Sequence, residues 1–280
     1  MNDAHKDCLE LLKIVHGICE VKNIIYTIAA DTLIAYEKSV EFEQNLPVIY
    51  IACLYPEFSK LRKSLIDFCQ DTDKFSLHDY TNTEQFETFE MWFVKEPRIH
   101  FQENRMKDAF YYGTRLIITP IFFAGNEESE WERAYSEFRD TLCTVNARAV
   151  LKGKPLRSYI RLTPKRKISN YYIRQRGKFS IKKAEEKYAS KHETKFVVYP
   201  HLIDRNKRDP NSLPWIVNEK SKLLTSEMFR NIEIVEIGGV ECYSVLERER
   251  IVNCFPNYIV KEILSKNKSQ LALMGNTYLW

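Results

Sequence analysis

Four carboxylates, Asp31, Glu37, Glu41 and Glu43, stand close together near the start of the chain. Acids gathered this way can hold a divalent cation or move a proton. Glu41-Phe42-Glu43 alternates, so an extended backbone would place both glutamates on one face. Asp31, Glu41 and Glu43 are the catalytic candidates, set against the plainer reading of solvated loop acids. The histidines (His5, His16, His78, His100, His192 and His201) form no metal-spaced pair. His16 reads as a packing or surface residue, and His100 as a general base only if its strand faces a cleft. Gly-x-Ser-x-Gly, P-loop and Gly-x-Gly-x-x-Gly patterns are missing, and Gly238-Gly239 reads as a turn.

Cation chemistry is concentrated elsewhere. No Asp or Glu occurs between Arg148 and Lys183, while Lys and Arg recur with Tyr159, Tyr171 and Tyr172 interleaved. Arg157, Arg161, Lys165, Arg166, Lys167, Arg174 and Arg176 are candidate anion-binding residues for a phosphorylated small molecule, a glycan or an acidic membrane face. The tyrosines could stack on a base or sugar ring. A solvated face balanced by the acids of Glu84–Glu103 and Glu127–Glu137 is the alternative. No nucleic-acid motif is present, so nucleic acid is not an expected partner.

These residues need a scaffold. Cys8, Leu11, Leu12, Val15, Ile18 and Cys19 recur at helical spacing, predicting a helix that stops at Asn23. Ile24–Ile28 and Val48–Ala52 read as buried strands. Asp31 is a good N-cap for a short helix between them. Pro56 suits the first turn of the next helix, whose face is Phe58, Leu61, Leu65 and Phe68. Met91–Val94, Arg98–Phe101, Phe110–Tyr112 and Arg115–Ile118 read as short strands. Glu128–Val150 reads as a long helix with Trp131, Tyr135, Phe138 and Leu142 on one side. Lys195–Trp280 reads as short strands and turns, then a helix over Asn257–Leu264. Alternating helices and strands predict an α/β (α+β) fold built on a mixed sheet.

The segment from Cys8 to Leu61 resembles the LicD family of phosphocholine and phosphosugar transferases, which includes the fukutin-related proteins. Leu11–Tyr26 followed by Asp31-Thr32-Leu33 carries the resemblance. The family shows a helix ending in Ile-Cys-Glu, a short strand with a Tyr, a Gly-Gly-Thr-Leu-Leu-Gly turn, and then an Asp-rich strand. Leu46–Ala52 matches that strand, and Pro56–Leu61 the helix after it. Ile118–Gly125 resembles the family's Ile-Asp-Ile-Phe-Pro-Leu-Asp-Gly, and Phe229–Pro256 its closing segment.

The resemblance implies a nucleotidyltransferase-like mixed sheet flanked by helices, with an added helical or irregular C-terminal region. Residues 1–150 would form the core and 151–280 the basic tract and the completion of the same domain. It also implies metal-dependent transfer onto cell-surface glycans, with carboxylates holding the metal. Val48, Tyr50, Thr119 and Ala124 stand at the acidic positions, and Ala30-Asp31 replaces the Gly-rich turn. The site is therefore expected to be degenerate, with no resident cofactor. A non-catalytic protein would bind a phosphorylated donor or acceptor, or support an active paralogue. An active transferase would use Mg2+ or Mn2+ on altered ligands near Asp31. An interaction protein would dock anionic polymer or membrane through the basic tract.

Bulk composition is compatible with all three. The chain has 280 residues, a hydrophobic fraction of 44% and a formal net charge of +4. That is enough apolar content for a real core and too little charge to name a partner. Seven scattered cysteines without Cys-x-x-Cys spacing read as reduced and buried. With no apolar leader at the start, a cytoplasmic location is expected, with peripheral membrane contact open.

Overall fold

A computed structural model describes residues 3–42, 48–83, 88–95, 114–152, 180–203 and 223–255. The basic tract from Arg157 to Arg176, Glu43, His100, the strands expected at Arg98–Phe101 and Phe110–Tyr112, and the helix expected at Asn257–Leu264 lie outside them.

Helix α1 (Asp3–Lys22) buries Cys8, Leu9, Leu11, Leu12, Val15 and Cys19. Asn23 ends it with φ 51°. The Ile24 amide donates back to the Cys19 carbonyl at 2.8 Å and the Asn23 amide to that of Glu20 at 3.3 Å. This left-handed stop satisfies carbonyls that the helix leaves open. Strand pairing begins later than the apolar run suggests, because β1 is only Thr27–Ile28. It is followed by α2 (Ala30–Glu37), β2 (Val48–Leu54) and α3 (Tyr55–Gln70). Pro56 sits in the first turn of α3, and Phe58, Leu61 and Leu65 are buried. The next elements are β3 (Phe75–His78), β4 (Met91–Lys95), β5 (Arg115–Gly125) and α4 (Glu128–Lys152). Residues 180–189 form a further helix, α5. The chain closes with β6 (Phe196–Val198), a 3-10 turn at Pro200–Leu202, β7 (Leu224–Thr225), a second at Glu227–Phe229, β8 (Ile232–Ile237), β9 (Val240–Val245) and α6 (Arg248–Val252).

The fold is α+β, a mixed sheet flanked by helices. The main sheet runs β1-β2-β5-β4-β3, and β6 pairs with the far half of β5. β2 and β5 are parallel, from Val48 opposite Arg115 to Leu54 opposite Ile121. β1 is antiparallel to β2, and β4 is antiparallel to β5.

Side chains alternate along a strand, so this register sorts them into two faces. Ile49, Ile51, Leu116, Ile118 and Phe93 share one face. The Phe68 ring of α3 meets Phe93 there, with centroids 6.1 Å apart. Val48, Tyr50, Ala52, Ile117, Thr119 and Trp92 share the other face.

β5 also serves a second core. Its far half packs Phe122 and Ala124 against Trp131, Tyr135, Phe138 and Leu142 of α4 and Ile181 of α5. Gly125 is required at this junction, because a Cβ there would collide with Glu130. The Glu130 carboxylate accepts from the Asn126 amide at 2.7 Å and starts α4. The β8–β9 hairpin turns on Gly238-Gly239 with φ 56° and 84°. Both residues of such a two-residue turn need positive φ, and a Cβ on Gly238 would press on Leu9 of α1.

Candidate functional site

The turn between β1 and α2 holds Ala30 at φ 44°. A residue with a Cβ is strained there, whereas glycine is not. Ala29, not Asp31, takes the N-cap position, and no side chain caps the helix. Asp31 lies in the first turn, where its charge complements the helix dipole. This corrects the expected capping role. A cap must sit at the residue where the chain enters the helix, and that entry falls two residues earlier. The turn is fastened to β2 at two points: the Ala29 amide donates to the Tyr50 carbonyl at 2.8 Å, and the Tyr50 amide donates to the Thr32 hydroxyl at 2.9 Å.

Of the positions singled out in the sequence, the strand register places Val48, Tyr50 and Thr119 on one face, and the turn brings Ala30 and Asp31 to its edge. Thr119 is opposite Ala52, two residues beyond Tyr50. Ala124 is not part of this group. It lies five residues further along β5, about 16 Å at strand rise, buried in the second core, and its carbonyl accepts a hydrogen bond from Lys191. Glu41 is exposed beyond α2, and Glu37 points to Arg248 at 3.1 Å. Among the described residues no group of three or more His, Cys, Asp or Glu side chains gathers as a metal ion requires.

What covers this face comes from the second half of the chain. Continuing the β5–β6 register one step beyond Phe122 and Val198 sets Tyr199 beside Ile121, on the Thr119 face. Tyr199 is 3% exposed. Its ring lies parallel to His201 at 6.0 Å and edge-on to Phe229 at 6.4 Å. His201 in turn meets Tyr50 at 5.6 Å and stands 3.3 Å from the Glu90 carboxylate. Continuing the β4–β5 register one step from Met91 and Ile118 sets Glu90 beside Thr119. On the same face, the Arg115 guanidinium lies over the Trp92 ring, 4.5 Å from its centroid.

The electrostatics follow from this closure. Burial pushes the Tyr199 hydroxyl well above its ordinary pKa. The Glu90 and Asp31 carboxylates and the Tyr50 hydroxyl add to the effect, while the Ala30 amide opposes it. The Thr119 hydroxyl is buried without a hydrogen bond among the described residues, and the Ala30 amide is the partner of the Tyr199 hydroxyl. Magnesium and manganese take hard oxygen ligands, with carboxylates among them, in a site that keeps several waters. Val48, Tyr50 and Thr119 supply no fixed charge. The residues do not fit that ion.

A buried ionic cluster that sequence reading missed lies where α3, the turn after β3 and α5 meet. Arg62 contacts Asp79 at 2.6 Å and Glu185 at 3.2 Å. The Tyr55 hydroxyl donates to Glu185 at 2.7 Å. Its partners are far apart in the chain, so no local motif announces it. A separate hollow of about 320 Å³ lies beside Leu54, Pro56 and Phe123, beyond the far end of β2. On its rim Arg230 pairs with Glu193 at 2.7 Å, while Glu57 pairs with Lys60 at 3.0 Å and Lys191 bonds the Ala124 carbonyl.

No helix among the described residues is long and apolar enough to cross a membrane. Comparison with protein-family models, curated proteins and solved structures finds no match.

Proposed function

We propose that this chain is a LicD-like protein of nucleotidyltransferase type whose metal-holding cleft has become packed interior. It serves glycan modification without ordinary catalysis, by supporting an active family member or by holding a phosphorylated donor or acceptor outside that cleft. The order helix, strand, tight turn, helix, strand, helix from α1 to α3 supports the family reading. So does the positive φ at Ala30, where the family's pattern has glycine. One observation carries the inactivity: Tyr50 and Thr119 share a face as metal ligands would, yet both are neutral and buried, and the His201 ring lies against Tyr50.

The test is thermal melting of the full chain with magnesium or manganese and a nucleotide diphosphate donor. Unchanged melting supports the reading, and a metal-dependent rise in melting temperature contradicts it. Co-elution with an intact family member from the same genome examines the supporting role.

A second reading has its own observation. Glu90 stands beside Thr119 by the strand register and Asp31 in the first turn of α2, so two acids border this face. An active enzyme with relocated ligands would show a metal-dependent shift that Asp31→Asn abolishes.

A further inference from the structure

We propose that the hollow beyond the far end of β2 binds a small zwitterion with an apolar body, of the size and charge pattern of a free α-amino acid with a hydrocarbon side chain. The inference goes beyond the proposed function and does not depend on the Tyr50–Thr119 face.

The hollow measures about 320 Å³. Ligand sites run from roughly 300 to 1,000 Å³, so this one suits a single molecule of amino-acid size and is too small for a nucleoside diphosphate or a glycan chain. Leu54, Pro56 and Phe123 give it apolar walls, together with Ile25, which stays 38% exposed. The walls come from stretches far apart in the chain, among them the passage from β2 into α3, the far half of β5 and the segment after α5.

The charges decide the ligand class. Arg230 and Glu193 pair at 2.7 Å and offset one another. Lys191 and Glu57 also line the hollow but are not paired with each other. The Lys191 ammonium donates to the Ala124 carbonyl, a neutral partner that leaves its charge unmatched. The positive end of the α3 dipole adds to it, because α3 begins at this wall. Glu57 meets Lys60 at 3.0 Å in a partly exposed pair, of a kind worth little. Its other oxygen, Oε2, is shielded from solvent and accepts no hydrogen bond among the described residues, which costs free energy that a donor would recover. A plain carboxylate would suit Lys191 but meet repulsion from Glu57, and a plain amine the reverse. A molecule carrying both groups satisfies both residues, with its hydrocarbon part against Leu54, Pro56 and Phe123.

The experiment uses the full wild-type chain and ligand-observed NMR or calorimetry. The probes are L-leucine and L-phenylalanine, with isocaproate and isoamylamine as single-charge analogues of leucine. At least one amino acid should bind, and L-leucine should bind roughly 10-fold more tightly than either analogue, the worth of one hydrogen bond to a charged group. Lys191→Met should reduce L-leucine to the level of isoamylamine, and Glu57→Gln to the level of isocaproate, with melting temperatures showing that both variants fold. Failure of both amino acids to bind the wild type overturns the proposal. So does equal binding of L-leucine and its two analogues, which would mean that the hollow reads only apolar surface. No metal enters this test, so it can fail while the functional reading stands, and the reverse.

Discussion

The His201 ring meets the Tyr50 ring edge to face, with centroids 5.6 Å apart. This contact joins β2 to a segment far along the chain. His201 also stands 3.3 Å from Glu90, so three distant stretches close on one face.

Tyr50→Ala should therefore destabilise the chain by about 3 kcal/mol, as loss of a buried aromatic side chain does. Tyr50→Phe keeps the ring contact and should cost less than about 1 kcal/mol. Urea unfolding of the two variants checks this. Equal losses would mean that the ring contact is not what holds the face closed.

Ala30→Gly should be stabilising, by roughly 0.5–1 kcal/mol, because φ 44° strains a residue with a Cβ. Ala35→Gly in the same helix should be destabilising by a similar amount. Opposite shifts in the urea midpoint are expected. A loss in both variants would remove the argument that this turn is built for glycine.

Arg62→Ala leaves Asp79 and Glu185 buried without their cation. Removing one member of a buried ion pair costs about 3–5 kcal/mol. Arg62→Lys should recover only part of this, since one ammonium cannot reproduce the contacts made by three guanidinium nitrogens. Chemical denaturation of both variants measures it.

The same cluster sets an acid dependence. Burial alone would raise the Asp79 pKa, but hydrogen bonds from Thr81 and the Arg62 charge outweigh burial and hold it below its ordinary value. A depressed folded pKa adds stability above the unfolded value, and that stability is lost as pH falls through the folded one. The urea midpoint should drop as pH is lowered below about 4, and the drop should be smaller in Asp79→Asn. Parallel curves for the two proteins would contradict the assignment.

Much of the scaffold is legible in local patterns. The α1 stripe, β2, Pro56 at the start of α3 and the aromatic face of α4 each lie within a few turns of chain, where periodicity alone is informative. β3 is four residues long between polar turns, too short for a periodic signal. Tyr50 and Thr119 are singled out only by the proposed resemblance, not by any local motif of their own. Tyr199, His201 and Glu90 are not singled out at all. Their part in the site comes from strand registers continued beyond Val198 and Met91, and from contacts over long sequence separations, which leave no mark on nearby residues. Asp31 shows the remaining difficulty: its residue type predicts a cap, but the cap position is decided by where the chain turns into α2.

Manganese binding to the full chain, followed by the anomalous signal in soaked crystals, tests the central claim most directly. On the face that carries Tyr50 and Thr119 there should be no ordered ion, and the wild type and Asp31→Asn should melt alike with and without manganese. An ion held by side-chain oxygens of Asp31, Glu90, Tyr50 or Thr119 would contradict the account.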